Sequence, residues 1–260
     1  MIRLSSRLSS LQNSGKKALT PYIMAGDPDL ETSLKLLKAL PGAGADVIEL
    51  GMPFTDPMAD GPIIQEAAIR ALKNDTNLKD VLSLVQKFRA DDTDTPIILM
   101  GYFNPIFAYG VEAFCRDAAR AGVDGLLVVD IPPEEGEELW PHAKAAGLDV
   151  IRMITPTSKD TRLDTVLAGT SGFLYYVSIT GITGTASAKP DAVGAHISQI
   201  RQHTDLPVMI GFGIKTPDDA SIMSGISDGI VVGSVLVEEL AENGVAACLE
   251  KIRKIKGGMV

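Results

Sequence analysis

Short apolar runs recur along the chain, each led by a small-residue turn or a proline, with helical patterns between them. Four follow a glycine or serine: "GADVIELG", "GVDGLLVVD", "GLDVIRMI" and "SDGIVVGS". Three begin at a proline, "TPYIMAG", "TPIILMGY" and "LPVMIGFG", and "SGFLYYVS" completes a set of eight. The runs are rich in β-branched residues and nearly continuous, as parallel strands covered on both faces should be. Between them lie "LETSLKLLKAL", "IQEAAIRAL" with "LKDVLSLVQKF", "VEAFCRDAARA", "EEGEELWPHAKAA", "TRLDTVLA", "VGAHISQIRQH", "DDASIMS" and "VEELAENGVAACLEKIRKI". Eight strands, each followed by helix, predict an α/β chain folded as a (β/α)8 TIM barrel, a single domain over residues 1–260. An open doubly wound sheet would want a Gly-rich fingerprint after the first strand, and "AGDPDLETS" is not one.

The start, "MIRLSSRLSSLQ", is Ser- and Arg-rich and acid-poor, a composition shared with transit peptides. Leu4, Leu8 and Leu11 stand at i, i+4 and i+7, however, and this periodicity favours a short amphipathic helix docked on the barrel.

Bulk properties narrow the picture. A chain of 260 residues is long for an ordinary domain but normal for such a barrel. It is 45% hydrophobic with only 5% aromatic residues, so its core must be aliphatic. A net charge of −9 without a basic stripe argues against a nucleic-acid partner. No apolar run is long enough to span a bilayer. Cys115 and Cys248 have no CxxC partner and read as buried thiols in a reducing compartment.

A barrel places its chemistry at the carboxyl ends of the strands and in the loops that follow. That directs the search to Tyr22, Glu49, Asp56, Asp60, Met100, Asp130, Tyr175, Phe212 and the glycines of the last three loops. In the second strand Val47 and Glu49 share one face, while Ile48 and Leu50 share the apolar face that should meet helices. Glu49 therefore points into the barrel mouth, where desolvation raises a carboxyl pKa toward the range useful for acid–base work. The competing role is a structural acid paired with Arg152 or Lys215. Asp60 has the form of a helix N-cap before "GPIIQEAA". But the loop "PFTDPMADGP" carries three prolines, a stiffness suited to holding a second carboxylate opposite the first.

The long loop "SITGITGTASAKP" after strand six has the composition of a mobile lid. "GFGIKTPDD" after strand seven, with Gly213, and "VVGSVL" after strand eight, with Gly233 and Ser234 at a helix start, suit a phosphate site built from backbone N–H groups. Such a site binds an anion through local dipoles, so the acidic net charge is no obstacle. His142, His196 and His203 fall in or beside helices, which gives a histidine triad or histidine metal site no support.

Together these motifs resemble the tryptophan synthase alpha-subunit family over essentially the whole chain. The most specific stretch is "ELGMPFTDPMADGPIIQ"; "MAGDPD", "MGYFNPI", "VVDIPPEE", "ITPTS", "GITGT" and "GFGI" accompany it. The resemblance implies retro-aldol cleavage of indole-3-glycerol phosphate to indole and glyceraldehyde 3-phosphate in tryptophan biosynthesis. Glu49 and Asp60 would be the catalytic pair. Tyr22, Met100, Tyr175, Thr183 and Phe212 would contact the substrate, and Gly184, Gly213, Gly233 and Ser234 its phosphate. The chain would need no metal and no cofactor of its own. It would act in the cytoplasm with a pyridoxal-phosphate beta subunit, as two alpha and two beta chains, through the loop bearing Asp56 and Pro57. Tyr22 stands where the family commonly has Phe, and loop six reads "SITGITG" where a version with Arg is common. Three other readings stay open: a stand-alone lyase that releases free indole, another phosphosugar barrel enzyme, and a non-catalytic interaction subunit.

Overall fold

The computed structural model describes residues 2–158, 160–177, 189–211 and 213–259. Parallel strands form one sheet: β1 (Ala18–Met24), β2 (Ile48–Gly51), β3 (Ile97–Gly101), β4 (Gly125–Val128), β5 (Asp149–Val150), β6 (Arg152–Ile154), β7 (Leu174–Val177), β8 (Val208–Gly211) and β9 (Gly229–Val232). Their order is β5-β4-β3-β2-β1-β9-β8-β7-β6. The two ends of that order are neighbours in the chain, so the sheet curls into a barrel whose seam lies inside one run.

That seam is why eight expected runs become nine strands. At Ile151 the fifth run changes partner. Residues 149 and 150 pair with β4, whereas residues 152–154 pair with β7. Close to the change, the Ser171 hydroxyl accepts the Val150 N–H at 2.9 Å, where a strand carbonyl would normally serve.

Alternation sorts the side chains as expected. Ile48, Leu50, Ile97, Leu99, Leu126 and Ile230 face outward into a core shared with the surrounding helices. Ala18, Val47, Ile98, Leu127, Ile151, Phe173, Met209 and Val231 face inward and fill the lower barrel. Leu4, Leu8 and Leu11 belong to this second cluster. They come from α1 (Ile2–Asn13), which closes the amino-terminal end of the barrel with its apolar stripe.

Charges fasten α1 in place. Arg3 reaches Asp124 at 2.6 Å and Arg7 reaches Asp46 at 2.8 Å. Both acids are buried and also close strand starts: Asp46 accepts from Leu19 N–H and Asp124 from Ile97 N–H. Lys256 adds a second cation to Asp46, and Arg89 a second to Asp124. For Asp124, burial outweighs the Ile97 N–H and both arginines, leaving its pKa above the ordinary carboxylate value.

The other helices follow the sequence pattern with instructive differences. The first crossover is the single helix α2 (Leu30–Ala43), and the second makes two, α3 (Pro62–Lys73) and α4 (Leu78–Arg89). An unforeseen helix, α5 (Phe103–Tyr109), precedes α6 (Val111–Ala121). The stretch expected as one helix at 134–146 divides into a 3-10 turn at Pro133–Glu138 and α7 (Trp140–Ala145). Pro141 in the first turn of α7 can open a helix but cannot continue one across it. After α8 (Asp160–Leu167), α9 (Pro190–Ile200) and α10 (Pro217–Ile226), the chain ends in α11 (Ser234–Gly258), interrupted where Gly244 takes φ 78°. None of the described helices is long and apolar enough to cross a membrane.

Candidate active site

Glu49 stands on the inward face of β2, directly across from Tyr22 of β1 in the strand register. It is 1% exposed, and its Oε2 has no hydrogen-bond partner among the described residues. Neither expected counter-ion reaches it. Arg152 sits on the outward face of β6, donating to the carbonyls of Val166 and Ala168 with its guanidinium over the Trp140 ring. Lys215 is exposed. A carboxyl that has lost its water and gained no cation favours the protonated form. Burial, then the nearby Asp60 carboxylate, push the Glu49 pKa up to about 8.

Asp60 is not the helix cap that its sequence context allows. Gly61 is the N-cap of α3 and makes no side-chain cap bond, and Pro62 opens the helix. The loop turns first: Asp60 N–H donates to the Pro57 carbonyl at 3.1 Å, and Gln65 Nε2 donates to the Asp60 carbonyl at 2.8 Å. These bonds free the carboxylate to swing away from the helix end, where its Oδ2 accepts from the Tyr102 hydroxyl at 3.0 Å. Burial raises the Asp60 pKa to about 6, against the lowering effect of the Tyr102 bond.

Tyr102 is the site residue that sequence reasoning passed over. Its oxygen also accepts from Ala59 N–H at 3.0 Å, and its ring leans on Phe54 with centroids 5.3 Å apart. It thus ties the proline-rich loop to the end of β3 at three points. Tyr102 is in turn the N-cap of α5, whose first N–H, at Phe103, donates to Asp130 at 2.9 Å. The available signal was a tyrosine at a strand's carboxyl end, immediately ahead of a helix; the missing helix α5 hid it.

Tyr22 and Tyr175 are buried beside the two carboxylates, and Met100 is half-buried against the same cluster as Tyr22. Both phenols have pKa values pushed up, by burial first and then by Glu49 and Asp60, so both stay neutral donors. Each leans over a glycine on the next strand. A Cβ at Gly51 would lie 2.2 Å from the Tyr22 oxygen, and one at Gly211 would lie 2.2 Å from that of Tyr175. Only glycine admits either ring.

Of the expected phosphate residues, Gly213 is exposed with φ 80°, Gly233 is the N-cap of α11, and Ser234 is that helix's first residue. The two helix starts on this side differ. That of α10 is closed by its own capping box, Thr216 with Asp219. That of α11 has no side-chain cap, so its first-turn N–H groups suit an anion. Thr183, Gly184 and Phe212 lie outside the described residues. Asp56 is exposed on the proline-rich loop next to half-buried Pro57, with Met58 81% exposed beyond it. Among the described residues, no cluster of three His, Cys, Asp or Glu side chains could hold a metal ion.

Fold and site define a barrel enzyme of the kind that works at the carboxyl ends of its strands. The family model for the tryptophan synthase alpha chain matches residues 8–259, and the chain belongs to that family of tryptophan-biosynthesis enzymes. It is similar to the solved alpha subunit from Legionella pneumophila str. Paris, with 38% identity, 100% of this chain and 98% of that one covered, and a TM-score of 0.93. A tryptophan synthase from M. tuberculosis in its aminoacrylate-bound form shares 30% identity over 99% of each chain, with a TM-score of 0.90.

Proposed function

We propose that the chain cleaves indole-3-glycerol phosphate to indole and glyceraldehyde 3-phosphate, and passes the indole to a beta subunit in an assembly of two alpha and two beta chains. The observation that carries this reading is the pair of up-shifted carboxyls, Glu49 near 8 and Asp60 near 6. Breaking the bond between indole C3 and the side chain requires a proton on C3, which turns the ring into an electron sink. The side-chain hydroxyl must then give up its proton as the aldehyde forms. At neutral pH Glu49 is protonated and can supply the first proton. Once ionised, it can take the second. Asp60, largely ionised at the same pH, accepts the indole N–H and stabilises the positive charge that grows there. Tyr22, Met100 and Tyr175 would bound the ring, with Thr183 and Phe212 completing the pocket. Gly184, Gly213, Gly233 and Ser234 would hold the phosphate, and the α11 N-terminus supports that placement.

Exposed Asp56 and half-buried Pro57 lie on the loop that also carries Asp60, so a partner docking there would press on the catalytic aspartate. The M. tuberculosis relatives are solved as tryptophan synthase, which supports a beta subunit as that partner; the assembly would work in the cytoplasm. The deciding experiment mixes the purified chain with indole-3-glycerol phosphate, with and without a beta subunit, and measures indole. Slow release alone and a clear increase with the partner are expected. Full activity alone, unchanged by the partner, would favour a stand-alone lyase.

A further inference from the structure

Tyr22 carries one oxygen more than the wall of an apolar pocket needs. Its ring lies in a cluster with Met24, Ile64, Ala67 and Ala68, against the half-buried Met100. A phenylalanine would fill the same role in packing. The residue is 4% exposed, and the strand beside it is cut away at Gly51 to admit the hydroxyl. Yet among the described residues that hydroxyl finds only the Met24 sulfur, at 3.9 Å. A thioether is a weak acceptor. Buried hydroxyls usually have a better partner, and one left without it is costly.

We infer that Tyr22 is a specificity-determining residue, whose hydroxyl donates to an oxygen substituent on the six-membered ring of an indole. This inference rests on the proposed reaction and names its substrate class: hydroxy- or methoxy-indoles and their glycerol phosphates. Burial and the two neighbouring carboxylates keep the phenol protonated, so it acts as a donor throughout the working pH range. Among the described residues only the weak Met24 sulfur stands within hydrogen-bond distance to compete for the bond; the carboxylates act on the phenol through their charge. A purely apolar wall would penalise a ring oxygen, because that oxygen would be stripped of water without replacement. Here the wall itself supplies the replacement.

The test is equilibrium binding of indole, 5-hydroxyindole and its positional isomers to the full chain and to Tyr22→Phe. The readout is the affinity of each isomer relative to indole within one protein, so any general effect of the substitution cancels. For at least one isomer the ratio should fall about tenfold in Tyr22→Phe, the worth of one recovered hydrogen bond. Gly51→Ala, which drives a methyl group into the hydroxyl's place, should erase the same preference with the phenol still present. Ratios that are unchanged for every isomer in both variants would overturn the inference. Turnover of unsubstituted indole-3-glycerol phosphate is measured alongside. Turnover with flat ratios removes the role of Tyr22 and leaves the lyase. A Tyr22-dependent preference without turnover supports the role and removes the lyase. No binding of any indole overturns both.

Discussion

At the amino-terminal end of the barrel, Asp46 and Asp124 are buried and well supplied: each meets two cations and a backbone N–H. At the carboxyl-terminal end, Glu49 and Asp60 share three tyrosines, one another's charge, and no cation among the described residues. The residue types are similar, and Glu49 is as buried as the two lower acids while Asp60 is half-buried. What differs is whether the fold offers the carboxylate a partner. A partnered acid fixes the position of a helix or a strand start. An acid left without a cation keeps its proton to higher pH and can pass it on. On the proposed reading, the barrel separates holding itself together from doing chemistry by the company its acids keep.

The sharpest way to break that contrast is Glu49→Gln, which preserves shape and removes proton transfer. Turnover of indole-3-glycerol phosphate should fall by a factor of about 10² to 10⁴ while ligand still binds. Near wild-type turnover would make Glu49 a structural acid. The same variant should be more stable than the parent at pH 8. Glu49 has a folded pKa near 8 against an ordinary value of 4.5, so the native state holds a proton that the unfolded chain has released. Stability contributed by that proton is complete below pH 4.5 and is lost as pH rises toward 8. Glu49→Gln removes this slope, gaining on the order of a few kcal/mol at the alkaline end. Denaturant midpoints at pH 5 and pH 8 measure it.

At the opposite end, Asp124→Ala should cost about 3 kcal/mol of stability by leaving the largely buried Arg89 without its carboxylate. A denaturation curve that does not move would show the bottom acids to be ornamental.

Tyr102→Phe is a smaller test, on the top. It removes the bond that lowers the Asp60 pKa, so the acid limb of the kcat/KM profile should move upward from pH 6, with a loss of about tenfold near that pH. An unmoved limb would mean that Asp60 is not the group titrating there.

Smallest of all is Arg7→Ala. Arg7 is nearly half exposed, and Lys256 still faces Asp46. Less than about 1 kcal/mol should be lost, with activity unaffected. A larger loss would show α1 to be held by charge more than by its leucines.

Alternation in "VIELG" was enough to aim Glu49 inward, and three leucines at helical spacing were enough to place α1, because burial of one face decides both. Local pattern could not show what depends on a distant segment. The break at Ile151 arises from strands that meet only when the barrel closes. Asp60 reads as a cap until Tyr102, on another crossover, gives its carboxylate a better partner. Helix α5 is not legible locally because "FNPIFAY" is short, aromatic and carries a proline, and its start is fixed by Asp130, just beyond the following strand.

The plug formed by α1 also has a history in time. On a ribosome, α1 emerges before every strand it will touch. Its leucines belong to a cluster that includes residues as late as Val231, and Arg3 pairs with a carboxylate 121 positions away. Contacts of such sequence separation form slowly, because a long chain must close on itself first. Until β9 has been made, the surface that takes this apolar stripe is incomplete. Apolar surface exposed during folding is what chaperones shield. An element made ahead of every strand is among the last able to dock, and its docking marks the barrel as complete.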